Sequence, residues 1–328
     1  MRTLTFKDEN MALGFVNMLY WGNGAGSCRQ AEFAVRCAES GMSVVMYGTT
    51  TFDSRVGNTG GDFYYDPKTK CSVNAYGMPN RGHKAEMETL SALKGKINAH
   101  GAKLGVSIST GDIFIPDEIS QMATDIVTNE AADIIEWNGS CPNVEVGGKR
   151  KPGVCFSPVN FEAGVKALCA AAPHMLVSAK IAPITEASLL GELADICVKN
   201  RVNFIVCSNT DGNCYLENEE GKPALPGMIL GGLGGAGLRP KVCGMIKILA
   251  PKLRGTSTRI IATGGTEIGT HAYKYLSLGE GMVVGFQFTT AIVRRNEDLR
   301  FVSTLISGEL NGERGLTDLL VEKGITWE

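Results

Sequence analysis

The segment Met175-Leu176-Val177-Ser178-Ala179-Lys180-Ile181 decides the fold class. It is a short apolar run with a β-branched residue near each end, which is typical of a buried strand. A second pattern follows from Ala187 to Lys199, where apolar residues recur near helical spacing. A strand followed by a helix, repeated along a chain, is the signature of a parallel β-sheet.

The same strand pattern occurs eight times along the chain. We predict these strands, to within a few residues at each end, at Phe15 to Tyr20, Ser43 to Tyr47, Lys103 to Ser109, Asp133 to Trp137, Leu176 to Ile181, Phe204 to Ser208, Arg259 to Ala262 and Met282 to Phe286. Amphipathic segments predict helices at Gln30 to Glu39, Lys84 to His100, Asn160 to Ala171, Ala187 to Lys199 and Lys241 to Leu249. Eight repeats favour an α/β fold of the (β/α)8 TIM barrel type.

Two longer connections, Thr51 to Gly82 and Asp211 to Pro240, break the alternation. They predict extended loops at the C-terminal face of the barrel, where barrels bind ligands. An open doubly wound sheet competes with this fold, because Gly232-Leu233-Gly234-Gly235-Ala236-Gly237 matches G-x-G-x-x-G. That match is weak, since no strong strand runs into it and no acidic residue follows about 20 positions later to hold a ribose.

Composition narrows the function. The 328 residues contain no linker or composition shift, which predicts a single domain over residues 1–328. The net charge of −2 is spread along the chain, so we expect neither nucleic acid nor an anionic membrane as a partner.

The sequence shows no signal peptide and no apolar stretch of spanning length, which predicts a cytoplasmic protein. Ten cysteines without a C-x-x-C pair and four histidines without ligand spacing predict no metal site.

Neutral amides are concentrated where the predicted strands end. The C-terminal ends of barrel strands and the loops after them supply the catalytic groups of this fold. A primary amide carries a donor and an acceptor on one plane, which suits the edge of a planar heterocycle with alternating C=O and N–H groups. Capping or turning of the chain is the alternative use of any one asparagine. Four asparagines fit the recognition of such a ring: Asn74, Asn138, Asn143 and Asn209.

Lys180 ends an apolar run, so we expect its ammonium inside the barrel mouth, where a buried charge needs a partner. A reduced, negatively charged cofactor ring would serve, as would a role as Schiff-base amine or as a paired structural lysine. The pairs Gly234-Gly235 and Gly264-Gly265, with Thr289-Thr290, favour phosphate binding. Cys141 comes just before the Gly-rich segment Val144 to Val154 of a loop that could close over a ligand, and its thiol could be acid-base, nucleophile or inert.

With these segments in order, the chain resembles the dihydroorotate dehydrogenases, specifically the soluble class with a cysteine base. The resemblance rests on segments in the family's order. They are Asn23-Gly24-Ala25-Gly26, Arg55-Val56-Gly57-Asn58, Asn74-Ala75-Tyr76-Gly77-Met78-Pro79-Asn80, Ser140-Cys141-Pro142-Asn143-Val144, Lys180-Ile181-Ala182-Pro183, Asn209-Thr210, Gly231-Gly232-Leu233-Gly234-Gly235, Arg239-Pro240 and Thr263-Gly264-Gly265. The membrane-bound class carries serine at the Cys141 position.

The resemblance implies a single FMN-binding barrel domain that oxidises dihydroorotate to orotate in pyrimidine biosynthesis. Cys141 would remove the C5 proton while C6 gives hydride to flavin N5. The positions matching FMN contacts are Ala25, Gly26, Asn138, Lys180, Gly234, Gly264, Gly265, Thr289 and Thr290. Those surrounding the pyrimidine are Asn74, Gly77, Met78, Asn138, Asn143, Asn209 and Thr210. The resemblance also suggests fumarate as electron acceptor and a homodimer.

Three positions depart from the family pattern. Gly48 stands where the family places a lysine that touches flavin and substrate, so a charge-assisted contact worth ~2 kcal/mol is lost. Gly139 stands where a bulky apolar residue is usual, and the phosphate end reads Gln287-Phe288-Thr289-Thr290-Ala291, with two extra residues upstream and threonine where glycine is preferred.

These departures leave three alternatives open. One is a divergent flavin reductase of another cyclic or unsaturated substrate, prompted by Gly48. Another is a Schiff-base lyase that uses Lys180. The third is a non-catalytic barrel that binds flavin or a partner without turnover.

Overall fold

The computed structural model describes residues 4–5, 20–23, 29–60, 62–146, 149–294, 299 and 326–327. Eight parallel strands form a closed barrel in the order β5-β6-β7-β8-β1-β2-β3-β4, with β4 paired to β5. The strands are β1 Tyr20–Asn23, β2 Val44–Thr51, β3 Lys103–Ser109, β4 Ile134–Asn138, β5 Leu176–Ile181, β6 Phe204–Cys207, β7 Arg259–Thr263 and β8 Val283–Phe288. The predicted TIM barrel is confirmed.

Helices follow the strands and cover the barrel. They are α1 Ala31–Glu39, α2 His83–Ala99, α3 Pro116–Thr128, α4 Pro158–Ala171, α5 Ala187–Lys199, α6 Arg239–Leu253, α7 Gly269–Gly279 and α8 Thr290–Arg294. The predicted strands and helices agree with these within a few residues, and β3, β5 and α5 agree at both ends. Of the first predicted strand, Phe15 to Tyr20, only Tyr20 is among the described residues. Tyr20 is the first residue of β1.

Three helices, α3, α7 and α8, were not predicted. Helix α3 is amphipathic and buries Ile119, Met122 and Ile126 on one side. Helix α7 buries a sparser set that includes two glycines and Tyr275, which gives little apolar periodicity to detect in the sequence.

A small antiparallel sheet lies at the C-terminal end of the barrel. Its strands, in spatial order, are Asp211–Cys214, Gly231–Gly235, Cys71–Asn74 and Phe63–Asp66. These strands belong to the two long connections, which therefore form regular secondary structure in addition to loops. The segment that matched G-x-G-x-x-G is a strand of this sheet followed by a short 3-10 turn, Ala236–Leu238, so the competing doubly wound fold is wrong.

The main core fills the space between the outer surface of the barrel and its helices. Inside the barrel, Val44, Met46, Ile134, Val206 and Ile261 form a separate apolar floor. Since side chains alternate along a strand, Ile134, Glu136 and Asn138 of β4 share the inward face. The interior therefore changes from apolar at the floor to polar at the carboxyl ends of the strands.

Among the described residues, no helix is long and apolar enough to cross a membrane. Over the same ranges, no group of three or more His, Cys, Asp or Glu residues is arranged to hold a metal ion.

Candidate active site

Two adjoining cavities open at the carboxyl ends of the strands. We call the first the thiol cavity, because Cys141 lines it together with Asn74, Gly77, Met78, Asn138, Asn143, Lys180, Asn209 and Thr210. The second, the glycine cleft, is lined by Gly234, Gly264, Gly265, Thr289 and Thr290. Asn74, Lys180, Asn209, Thr210 and Thr289 line both. The barrel thus brings the described part of the predicted site together around one continuous space; Ala25 and Gly26 lie outside the described residues.

Asn138, at the end of β4, is held by hydrogen bonds on both atoms of its amide. Its Nδ2 donates to Thr49 Oγ1 (3.2 Å), whose hydroxyl also bonds Ser107 Oγ (3.1 Å). Its Oδ1 accepts from Ser140 Oγ (3.2 Å) and from Asn209 Nδ2 (3.1 Å). The orientation of the Asn138 amide is therefore fixed before any ligand binds.

Asn143 leaves one polar atom free. Its Nδ2 donates to the main-chain oxygen of Asn74 (3.1 Å), and its own carbonyl accepts from Asn58 Nδ2 (2.8 Å). Its Oδ1 is buried and has no hydrogen-bond partner within the described part of the chain. A buried acceptor without a partner costs roughly 1–3 kcal/mol, so this oxygen is suited to receive a donor from a ligand.

Lys180, on β5, has a protein partner that the sequence did not identify. Its Nζ donates to Gln287 Oε1 (3.1 Å) and lies 3.8 Å from Glu136 Oε1, while Gln287 Nε2 donates to Glu136 Oε2 (2.6 Å). Glu136 is fully buried, with 0% exposed. The positive charge of Lys180 is thus balanced by Glu136, and its Nζ is held by Gln287. This arrangement argues against a free Schiff-base amine.

The thiol of Cys141 lies against the same cavity. Burial raises the pKa of the Cys141 thiol, and the backbone N–H of Asn143 and the positive charges of Arg55 and Lys180 oppose that rise. A thiol with a raised pKa is protonated at neutral pH. Cys141 is therefore placed to exchange a proton with a ligand, and its thiolate forms only as the pH increases.

Gly48 shows why the family lysine is missing. Its φ is +114°, in a region that side chains rarely adopt, and a Cβ at this position would lie 2.7 Å from the carbonyl oxygen of Ser107. The register of β2 against β3 shifts between Gly48 and Thr50. The next side chain, Thr49, supplies the hydroxyl that binds Asn138. At this point the strand presents a neutral group in place of a cation.

Gly139, the second departure, has a packing explanation. The Trp137 indole is fully buried and packs against the ring of Phe161, with 5.2 Å between ring centroids. A Cβ on Gly139 would lie 3.2 Å from this indole, and a Cβ on Gly164 would lie 2.5 Å from it. The large tryptophan therefore occupies the volume that a bulky residue at position 139 would need.

The glycine cleft is shaped by close backbone approach. Gly265 has φ +71°, and a Cβ there would lie 2.6 Å from the carbonyl oxygen of Gly235. On the opposite wall, the hydroxyls of Ser72 and Thr290 bond each other at 2.7 Å. Two lining groups, Thr266 Oγ1 and Glu267 Oε1, are buried without a hydrogen-bond partner among the described residues. The hydroxyls of Ser72, Thr266 and Thr290 can donate to an oxyanion, whereas the Glu267 oxygen can only accept a hydrogen bond.

The sequence missed Thr49, Ser140, Glu136 and Gln287. A signal for Glu136 was available, because an acidic residue on the same strand face as Asn138 must lie inside the barrel mouth. Gln287 would follow from the same alternation on β8. The contact of Ser140 with Asn209 had no sequence signal, since it joins residues 69 positions apart.

Comparisons with known proteins agree with this geometry. The model of the family described as dihydroorotate dehydrogenase matches residues 7–302. The chain belongs to this family. The match confirms the predicted class of flavin-dependent oxidoreductase.

Relatives carry the same name. A Streptococcus agalactiae protein named dihydroorotate dehydrogenase A (fumarate) is 26% identical over 302 residues, 90% of each chain. A Streptococcus uberis protein of that name is 25% identical over 305 residues, 92% of this chain and 89% of its own.

Solved structures show the same fold. DHODH from Eimeria tenella in complex with ferulenol has a TM-score of 0.75 at 19% identity, covering 92% of this chain and 81% of that one. Its ligand-free form has a TM-score of 0.73 at 18% identity, covering 98% and 91%.

Proposed function

We propose that this protein oxidises dihydroorotate to orotate with FMN as its resident cofactor and Cys141 as the base. The observation that carries the proposal is the position of the Cys141 thiol in one cavity with four asparagine amides, continuous with a glycine-lined cleft. Membership of the dihydroorotate dehydrogenase family supports the reaction class.

The described residues fit FMN in two respects. The glycine cleft has the close backbone and paired hydroxyls that a phosphate needs, and a Cβ on Gly234 or Gly265 would fill it. Lys180 lines both cavities, and Asn138, its register partner on β4, lines the thiol cavity, so both would face a planar ring that extends from the phosphate. FMN bound there would accept the hydride that the substrate loses.

The amides have a clear task in this reaction. Asn74, Asn138, Asn143 and Asn209 offer both donors and acceptors, matching a pyrimidine dione edge. The unpartnered Asn143 Oδ1 would accept from a ring N–H. Because Thr49, Ser140 and Asn209 fix the Asn138 amide beforehand, little conformational entropy is lost when the ring binds.

Cys141 would take the proton from C5 of the dihydropyrimidine. The thiol needs to ionise first, and the nearby charges of Arg55 and Lys180 favour the thiolate. Gly77 and Met78 line the same cavity and would close it over the ring.

Anaerobic mixing of the purified, FMN-loaded protein with dihydroorotate tests the proposal. We expect the flavin absorbance to bleach and orotate to form in equal amount. A flavin spectrum that stays oxidised would overturn the proposal.

A divergent flavin reductase is the second candidate, and Gly48 is the observation that favours it. The backbone at Gly48 excludes the family lysine, so the site presents a different charge to its substrate. Bleaching by another donor, without any response to dihydroorotate, would select this candidate. A non-catalytic flavin-binding role would be indicated if no donor reduced the flavin of the wild-type protein and Cys141→Ala changed nothing that is measured.

The electron acceptor and the homodimer follow from the family resemblance, and the single domain and the cytoplasmic location follow from the composition of the sequence. We propose fumarate as acceptor, since two relatives carry it in their names. A single FMN-binding domain, a homodimer and a cytoplasmic location stay predictions.

A further inference from the structure

Arg29, immediately before helix α1, lines the thiol cavity and also the neighbouring cavity that contains Gly48 and Thr49. It is partly buried. Its guanidinium carbon lies 4.3 Å from the centroid of the Tyr76 ring. Arg29 and Gly48, the position at which the family has a lysine, therefore line the same two cavities.

The charges around the thiol cavity do not balance. Its described lining contains two cations, Arg29 and Lys180, and no aspartate or glutamate. Lys180 is balanced by Glu136 beneath it. Arg29 forms no ion pair with a carboxylate in the described part of the chain. It contacts the Tyr76 ring, makes a side-chain hydrogen bond with Tyr76, and accepts a hydrogen bond from the Tyr47 hydroxyl at its main-chain oxygen. One positive charge is left to face a ligand, and partial burial strengthens its attraction for an anion.

Tyr76 orients this charge without neutralising it. Burial raises the pKa of the Tyr76 phenol, so the ring is neutral at physiological pH. A guanidinium carries five N–H donors, so the stacking and the one side-chain hydrogen bond with Tyr76 leave other N–H groups at its edge available. A guanidinium fixed in this way presents the donor fork that matches a carboxylate.

We propose that Arg29 binds the carboxylate of the cyclic substrate and so replaces the cation that Gly48 cannot carry. The assignment rests on the proposed function, and it narrows the ligand class to rings that bear a carboxylate. It also predicts that the same ring without a carboxylate binds poorly to the wild-type protein.

The test compares two ligands on matched variants of the FMN-loaded protein. Orotate carries the carboxylate, and uracil is the same ring without it. Dissociation constants are measured from the change in flavin absorbance at equilibrium. We expect Arg29→Met to weaken orotate binding roughly 10-fold or more, with uracil unchanged, because a hydrogen-bonded charge pair is lost. Arg29→Lys should recover part of the orotate affinity.

Arg36→Met is the matched control. Arg36 also lies over an aromatic ring, that of Phe33 at 5.7 Å, but it lines neither cavity. This variant should bind both ligands as the wild-type protein does. FMN content and thermal unfolding of each variant show whether the fold is kept.

The outcomes separate the two claims. An Arg29→Met variant that binds orotate as tightly as the wild type, or that loses orotate and uracil equally, overturns the Arg29 assignment alone. A wild-type flavin that responds to neither dihydroorotate nor orotate overturns the proposed function, and the Arg29 assignment with it.

Discussion

The glycine cleft and the thiol cavity are neighbours that share six lining residues, yet they are built by opposite means. The cleft depends on side chains that are missing, since a Cβ on Gly265 would meet backbone atoms at 2.6 Å. The cavity depends on side chains that are present, because its amides, thiol and lysine each make or offer a specific contact. Function at one end should therefore be lost when atoms are added, and at the other when atoms are removed.

The largest effect is expected at the thiol. Cys141→Ala removes the proposed base, so flavin reduction by dihydroorotate should slow by about 10²- to 10⁴-fold, the usual contribution of a general base. Stopped-flow absorbance under anaerobic conditions measures this rate. FMN content and orotate affinity should stay close to wild type, and a loss of both would mean that the variant had damaged the cavity instead.

Removal of the Lys180 ammonium should destabilise the fold. Lys180→Met leaves the fully buried Glu136 without a compensating charge, which we expect to cost about 3–5 kcal/mol of unfolding free energy. Urea unfolding of flavin-stripped protein gives this number without a contribution from lost FMN. Lys180→Met combined with Glu136→Gln should recover most of the loss; a double variant as unstable as the single one would contradict the charge argument.

At the glycine end, addition of one methyl group should impair cofactor binding. Gly265→Ala places a Cβ against the Gly235 carbonyl at φ +71°, a strain of about 1–3 kcal/mol that the cleft must relieve by moving. We expect FMN affinity to fall by the corresponding factor of about 5 to 150. Fluorescence titration of stripped protein with FMN measures it.

Gly244→Ala is the control for the glycine substitution. A Cβ on Gly244 would meet nothing within 4 Å, and its position inside α6 favours alanine by up to about 1 kcal/mol. Equal loss of FMN in both variants would show that the close approach at Gly265 is not the cause.

Per pH unit, the smallest effect is the dependence of the reduction rate on pH. Burial raises the pKa of the Cys141 thiol, and the reactive form is the thiolate. Below that pKa, the reduction rate should rise about tenfold per pH unit, and it should level off only above the ordinary thiol value of about 8.5. A rate that is constant from pH 6 to pH 8 would mean that the thiol is already ionised or that another group is the base.

Most of the fold could be predicted from local pattern. Strands β3 and β5 and helix α5 were predicted at both ends, because apolar runs and amphipathic periodicity are properties of neighbouring residues. The small antiparallel sheet at the C-terminal end of the barrel was not predicted. Its strand Gly231–Gly235 has almost no side chains with which to signal a strand, and it pairs with Cys71–Asn74, far away in the sequence.

The residues of the candidate site could also be predicted only in part. Strand ends and short segments located Asn138, Cys141 and Lys180, since parallel strands deliver their ends to one face. The partners of these residues depend on distance in space: Glu136 and Gln287 are 151 positions apart, and their hydrogen bond is 2.6 Å long. The sequence suggested that Lys180 needs a partner and left that partner unidentified.

By itself, the sequence determined the barrel, the family and the residues that line the mouth, because each follows from local pattern or short segments. Only the tertiary structure decided which charges are already balanced. It paired Lys180 with Glu136, gave Gly48 a backbone that excludes a lysine, and placed Arg29 in the same cavity lining without an ion-pair partner among the described residues. Charge balance in a cavity depends on distances between residues remote in the chain, and those distances are set when the barrel closes.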